Sequence, residues 1–301
     1  VTAAKLVADA PLYGADAAVR FGTSSFSSPD WVGPFYPPGT PAGAFLSLYA
    51  RSFDTVEVDA TYYAVPSARL VEGWAEKTPE RFLLSAKFPR DVVHGGRAET
   101  PDPRTVLVPD ATYEIRDRFL DAMARVGPRL GPLVLQFPYF NRAAFPSAGP
   151  FLERLDAFLR DLPRGPFTYG VEVRNKAWVT RDLSALLARH GVLLVLVDQA
   201  WMPHGDELEK RIDVAAGGLV YVRLLGDRRE IEAVTRTWDK EVLDRGERLK
   251  RWAAFLVRMM DRGVKSLVYV NNHYAGHAPT TVRRLKTLFL EAAGVLAPPP
   301  F

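Results

Sequence analysis

Eight short runs rich in Val and Leu recur along the chain: VRFGTSS (19–25), TVEVDATYY (55–63), RFLLSAKFP (81–89), GPLVLQFP (131–138), TYGVEVRN (168–175), VLLVLVDQ (192–199), LVYVRLLG (219–226) and SLVYVNNH (266–273). Short, largely apolar runs bounded by turn residues read as buried parallel strands. Between most of them lie stretches with helical spacing. Ser67 opens SARLVEGWAEKT as an N-cap, and Thr180 opens TRDLSALLARHG with Gly191 as its stop. Pro279 sits in the first turn of PTTVRRLKTLFLEAAG, and a longer helix fits near 244–262. Strand and helix alternating in this way predict a (β/α)8 TIM barrel, with an open doubly wound sheet as the alternative. The segment 200–218 carries no long helical pattern, so the sixth unit is expected to be irregular. No linker, low-complexity run or strong repeat interrupts the chain, which predicts a single domain over 1–301 with its core at about 19–293.

Alternation within the runs assigns faces. Glu57 and Asp59 alternate with Val56 and Val58, and side chains two apart on a strand share a face, roughly 6–7 Å from one another. Two carboxylates on a buried face cost several kcal/mol each unless partners answer them. In a barrel the aliphatic parity faces the helices and the other parity faces the axis. Val171 and Val173 then turn Glu172 and Arg174 inward, and Val220 and Val222 do the same for Tyr221 and Arg223. Val268 and Val270 turn Tyr269, Asn271 and His273 inward, and the same rule brings in Lys87, Gln136 and Asp198. Glu57, Asp59 and the nearby Tyr62 join them. These polar residues fall late in their strands, where barrel enzymes keep their sites. Lys87, Arg174 and Arg223 would answer the carboxylates. A buried Glu–Arg pair can also serve registry alone.

Composition narrows the chemistry. At 48% hydrophobic and 25% charged the chain is globular in character. No apolar run approaches the ~18–20 residues of a membrane helix. The opening VTAAKLVADAPLYGADAA lacks a signal-peptide pattern, so a cytoplasmic location is expected. The absence of cysteine excludes disulfides and thiol chemistry. A net charge of +4 favours anionic partners. The expected ligand is therefore an anionic, phosphate-bearing small molecule or a nucleic-acid segment, and the favoured reaction is phosphoester hydrolysis. Lys87, Arg174 and Arg223 would neutralise developing charge, with Glu57 or Glu172 as general base and Asp198 a third catalytic candidate. Asp59, Tyr62, Gln136, Tyr221, Asn271 and Trp31 would contact the ligand. Trp31 lies in an aromatic loop, 24–39, that either stacks on a base or sugar or covers the barrel end. GTSS (22–25) reads as a turn offering backbone donors and hydroxyls. A divalent metal on Glu57, Glu172, Asp198 and a histidine such as His273 is the less favoured arrangement, since HYAGH (273–277) is not HExxH. Neither a P-loop nor a GxSxG elbow occurs. Two alternatives stand beside hydrolysis: a carbohydrate-active barrel using paired Glu residues, and a barrel that binds a ligand or partner without chemistry.

The motifs GTSSFSSPDWVGPFYP, TVEVDATYY, SAKFPRDVVH, LGPLVLQFP, VEVRNKAW, YVRLLG and NNHYAGHAP come in the order seen in the YecE-like family, the domain of unknown function 72. The chain resembles that family over about residues 19–290. The resemblance implies a TIM-barrel fold and little about activity. It also exposes departures: Phe26 and Ser28 stand where the family usually has Trp and Tyr, Asp59 where Asn is usual, and Leu225 where a His is frequent. The last removes a ligand or base from the mouth.

Overall fold

The computed structural model describes residues 17–96 and 98–296, so the stretch read for a leader lies almost wholly outside the described residues. The strands are β1 (Val19–Thr23), β2 (Thr55–Val58), β3 (Leu83–Lys87), β4 (Leu130–Gln136), β5 (Tyr169–Glu172), β6 (Leu193–Asp198), β7 (Val220–Leu224) and β8 (Ser266–Val270). They form one sheet in the order β1-β8-β7-β6-β5-β4-β3-β2, and a parallel bridge from Ser24 to Glu57 joins β1 to β2 as well. Helices fill the intervals: α1 (Phe45–Tyr49), α2 (Ala68–Glu76), α3 (Arg90–Val93), α4 (Pro109–Ala124), α5 (Ala148–Arg160), α6 (Arg181–Arg189), α7 (Gly205–Leu208), α8 (Arg228–Glu232), α9 (Gly246–Asp261), α10 (Asn272–Ala275) and α11 (Ala278–Ala292). This is the (β/α)8 TIM-barrel class that the alternation predicts. The sixth unit is irregular, with only the four-residue α7 between β6 and β7. No helix among the described residues is long and apolar enough to cross a membrane.

The predicted starts and stops are made by the groups named for them. Ser67 Oγ accepts from the Leu70 N–H at 3.3 Å, and Thr180 Oγ1 accepts from the Leu183 N–H at 3.5 Å. Gly191 ends the α6 region at φ +61°, a conformation that costs other residues strain. GTSS is not a turn throughout: Gly22 and Thr23 lie within β1, and the backbone leaves extended geometry only at Ser25, φ +114°.

The described residues pack as two compact units. One comprises 17–57, 196–210 and 219–296. Its β1–β8–β7 ladder sets Phe21, Val268 and Val222 in one register row and Gly22, Tyr269 and Arg223 in the next. The apolar row meets the helices, with the Phe21 ring 5.7 Å from Phe289 of α11. The other row carries the polar groups. A Cβ at Gly22 would lie 2.0 Å from the Thr55 carbonyl oxygen, so only glycine lets β1 and β2 approach there.

The second unit comprises residues 58–195 and 211–218. Across β3, β4 and β5, Lys87 pairs with Val134, Val134 with Gly170, and Gln136 with Glu172. An aromatic cluster of Phe137, Phe140, Phe145, Phe151 and Trp178 backs the loops after β4 and β5. Each buried Phe contributes about 1.5–3 kcal/mol by leaving water.

Candidate functional site

In the first unit Glu57 is wholly buried and saturated. Its Oε2 accepts from the Tyr221 hydroxyl at 2.7 Å, and its Oε1 accepts from Arg223 Nε at 3.1 Å and Nη2 at 2.8 Å. Arg223 is 1% exposed and Glu57 0%. Burial, then the Glu57 charge, holds the Tyr221 hydroxyl well above its ordinary range. The Tyr269 ring packs 4.9 Å from Tyr221, and its hydroxyl meets Thr55 Oγ1 at 2.7 Å. The carboxylate at 57 is answered by charge-assisted hydrogen bonds, both from Arg223 to one oxygen, in a wholly buried position. Glu57, expected as general base, and Tyr221 and Arg223, expected as ligand contacts, thus meet one another in a buried contact.

Asp198 needs a correction. It is not turned toward the axis; its carboxylate accepts from Arg248 Nε at 2.5 Å and Trp252 Nε1 at 2.6 Å, both on α9, and from the Tyr274 hydroxyl of α10 at 3.0 Å. Parity explains this. A Cβ at Gly170 would sit 3.1 Å from Val195, so Val195 shares the face of Gly170 and Glu172, and Asp198 falls on the opposite, helix-facing parity. Trp31 is likewise withdrawn. It is buried against Phe35, Tyr36 and His277, with its Nε1–H donated to Asn272 Oδ1 at 3.2 Å. Covering, not stacking on a ligand, is what the loop does at that ring. Asn271 Oδ1 caps α10 by accepting from the His273 N–H at 2.9 Å, and it meets His273 Nδ1 at 2.7 Å. Leu225, which stands where the family frequently has His, is buried, and the adjacent Gly226 admits the His273 carbonyl so closely that a Cβ would lie 2.5 Å away. Among the described residues no group of three or more His, Asp or Glu side chains is placed to hold a metal ion.

The second unit keeps its polar strand ends nearer to water. Asp59 follows β2 and pairs with Lys87 at the end of β3, Nζ to Oδ1 2.5 Å. Thr61 locks this corner, donating to the Lys87 carbonyl at 2.9 Å and accepting from its N–H at 3.1 Å. Glu172, fully buried at the end of β5, accepts from Arg174 Nε at 3.0 Å. Gln136 stands beside Glu172 in the ladder. Tyr62, half-buried, has its hydroxyl pushed up by burial, while Arg90 and Arg174 pull the other way. Asp59 and Arg174 are the accessible charges, 28% and 26% exposed at the side chain. Sequence parity did not find Arg90 or Thr61, since neither lies in a strand. Arg90 reaches this group from the start of α3, anchored by Nε to the Gly96 carbonyl at 3.0 Å. The PR step at 89–90, directly after a strand, was the only signal for it.

Comparison with known proteins bears on what this geometry belongs to. The model of the family described as "Protein of unknown function DUF72" matches residues 20–300. The chain belongs to the DUF72 family. Among DUF72 relatives, the UPF0759 protein YecE of Escherichia coli K12 is 31% identical over 200 residues, covering 63% of this chain and 64% of YecE. The UPF0759 protein YunF of Bacillus subtilis is 28% identical over 145 residues, 48% of this chain and 47% of YunF. The match thus spans less than two thirds of these relatives' own length. A DUF72 protein from Thermotoga maritima superposes with a TM-score of 0.65 at 26% identity, covering 90% of this chain and 98% of that one. The TIM-barrel class and the motif order read from the sequence agree with DUF72 membership.

Proposed function

We propose that residues 58–195 and 211–218 bind an anionic, phosphate-bearing ligand where β3 and β5 end, against Lys87, Arg90 and Arg174. The supporting observation is the state of Arg174. Its Nε is held by the buried Glu172 at 3.0 Å, while its two Nη groups have no partner among the described residues. A guanidinium fixed from behind with its fork open suits the paired oxygens of a phosphate. Lys87 already offsets Asp59 and Glu172 holds Arg174, while Arg90, bonded to the Gly96 and Ala98 carbonyls, adds positive charge felt at Tyr62. Phosphoester hydrolysis is the catalytic extension. Arg174 would meet charge growing on the phosphoryl oxygens, and Asp59, the more exposed carboxylate, would take the proton of a water attacking phosphorus; the ester P–O bond breaks and the departing alkoxide takes a proton from solvent. The carbohydrate alternative needs water-facing Glu pairs, and both Glu57 and Glu172 are fully buried.

The test is thermal unfolding with inorganic phosphate or a neutral sugar. A ligand bound only by the native state stabilises it by RT ln(1 + [L]/Kd), about 2.7 kcal/mol at a hundredfold excess over Kd. Phosphate also stabilises proteins by exclusion from their surface, so the decisive quantity is the difference between wild type and Arg174→Ala. Phosphate should raise the wild-type Tm more than that of the variant. Equal responses, or stabilisation by the sugar alone, would overturn the proposal.

A further inference from the structure

A cleft of about 520 Å³ opens between the loops after β4 and β5, a volume within the ~300–1,000 Å³ usual for small-molecule sites. We propose that it is a second site, seating a planar ring tethered to an anion, as in a nucleoside monophosphate. Its lining combines aromatic rings and two cations with small and polar residues such as Ser147 and Asn175, and contains no acidic residue. Phe140, Phe145 and Trp178 form a nearly buried floor, with the Phe140 and Trp178 rings 6.1 Å apart and 19° from parallel. Tyr139 stands at the rim, 64% exposed. Arg142 and Lys176 line the cleft as exposed residues. Among the described residues neither side chain has a salt bridge or hydrogen bond, and the Tyr139 hydroxyl has none either.

Two unpartnered cations and an uncovered aromatic ring around one apolar floor select their ligand by chemistry. A free phosphate would leave the rings unused, and a neutral aromatic would leave the cations unused. A base stacked on Tyr139 with its phosphate at Arg142 and Lys176 uses both. The walls are held ready by Asn175, whose Nδ2 donates to the Phe140 carbonyl at 2.7 Å while its Oδ1 accepts from the Phe140 N–H at 2.9 Å. That amide spends one N–H and one lone pair of its oxygen on Phe140. Every base offers a face to stack on Tyr139, so the site takes purine and pyrimidine monophosphates alike. It stands independently of the phosphate site at Arg174.

Calorimetric titration of the full chain with AMP, UMP, adenosine and ribose 5-phosphate tests this. AMP and UMP should bind with similar Kd, and adenosine and ribose 5-phosphate each about tenfold more weakly. Tyr139→Ala should reduce AMP to the level of ribose 5-phosphate, and Arg142→Ala with Lys176→Ala should reduce it to that of adenosine. All three positions are exposed, so unchanged Tm values would confirm intact folding of the variants. In Arg174→Ala, which removes the phosphate site proposed at the strand ends, AMP should still bind, and that remaining binding should fall when Tyr139 is changed to Ala as well. The inference falls if AMP binds no tighter than its two fragments, or if the Arg142/Lys176 variant keeps wild-type affinity. It falls equally if Arg174→Ala abolishes AMP binding, which would move the nucleotide to the strand-end site. A phosphate response that depends on Arg174, with no AMP binding, would overturn this inference alone.

Discussion

At Glu57 two residues of β7 share one fully buried carboxylate. Glu57→Gln should leave Arg223 underpaired and destabilise the protein by about 3–5 kcal/mol, the usual cost of breaking a buried pair. Urea unfolding measures it. Glu57→Gln combined with Arg223→Met should lose less than the single change, because no uncompensated charge then remains buried. A single variant within about 0.5 kcal/mol of wild type, the usual spread of inconsequential surface changes, would show that water reaches the pair. Parity along TVEVDATYY and LVYVRLLG was enough to read that Glu57 and Arg223 are not on the helix face. It could not read saturation, because the Tyr221 hydroxyl and the guanidinium arrive from a strand more than a hundred residues away. Asp198 was misjudged for the same kind of reason. In a run as uniformly apolar as VLLVLVDQ, neither parity is marked as the outer one. The partners that mark it, Arg248 and Trp252, belong to a distant helix.

Among the elements, the strands and capped helices were legible because their signals are local: an apolar run, a hydroxyl before a helical stretch, a glycine after it. Gly22 was less so. GTSS looks like turn chemistry, yet Gly22 is an extended residue whose missing side chain makes room for the Thr55 carbonyl. Only a through-space neighbour distinguishes the two uses. Gly22→Ala should force β1 from β2 and cost about 1–3 kcal/mol, the range for overpacked sites, seen as a lower urea midpoint with an unchanged slope. A neutral substitution would mean that the two strands separate freely at this point. The short α7 follows from sequence as directly as the long helices do, since residues 200–218 offer no sustained apolar stripe.

For the molecule as a whole, acid should be the damaging direction. Burial first, and then Arg283, lower His277 from its usual 6.5 to about 4. His94 and His204 are lowered as well, in both cases chiefly by burial. Below pH 6.5 the unfolded chain binds protons at these rings that the folded chain refuses, so stability rises with pH in this range. For His277 the contribution is intact above about 6.5 and drains away as pH falls toward about 4. The urea midpoint should therefore drop between pH 7 and 4.5, and His277→Asn should shrink that drop; an equal drop would assign the sensitivity elsewhere. The Phe140–Asn175 amide pair matters in another currency. It joins two loops by hydrogen bonds through one side chain, beside the Phe140–Trp178 packing. Drift at position 175 would set both loops wandering before anything binds, and each encounter would then have to supply the lost order again. Tightness of binding would erode through the entropy of the empty protein, with every atom that touches the ligand unchanged.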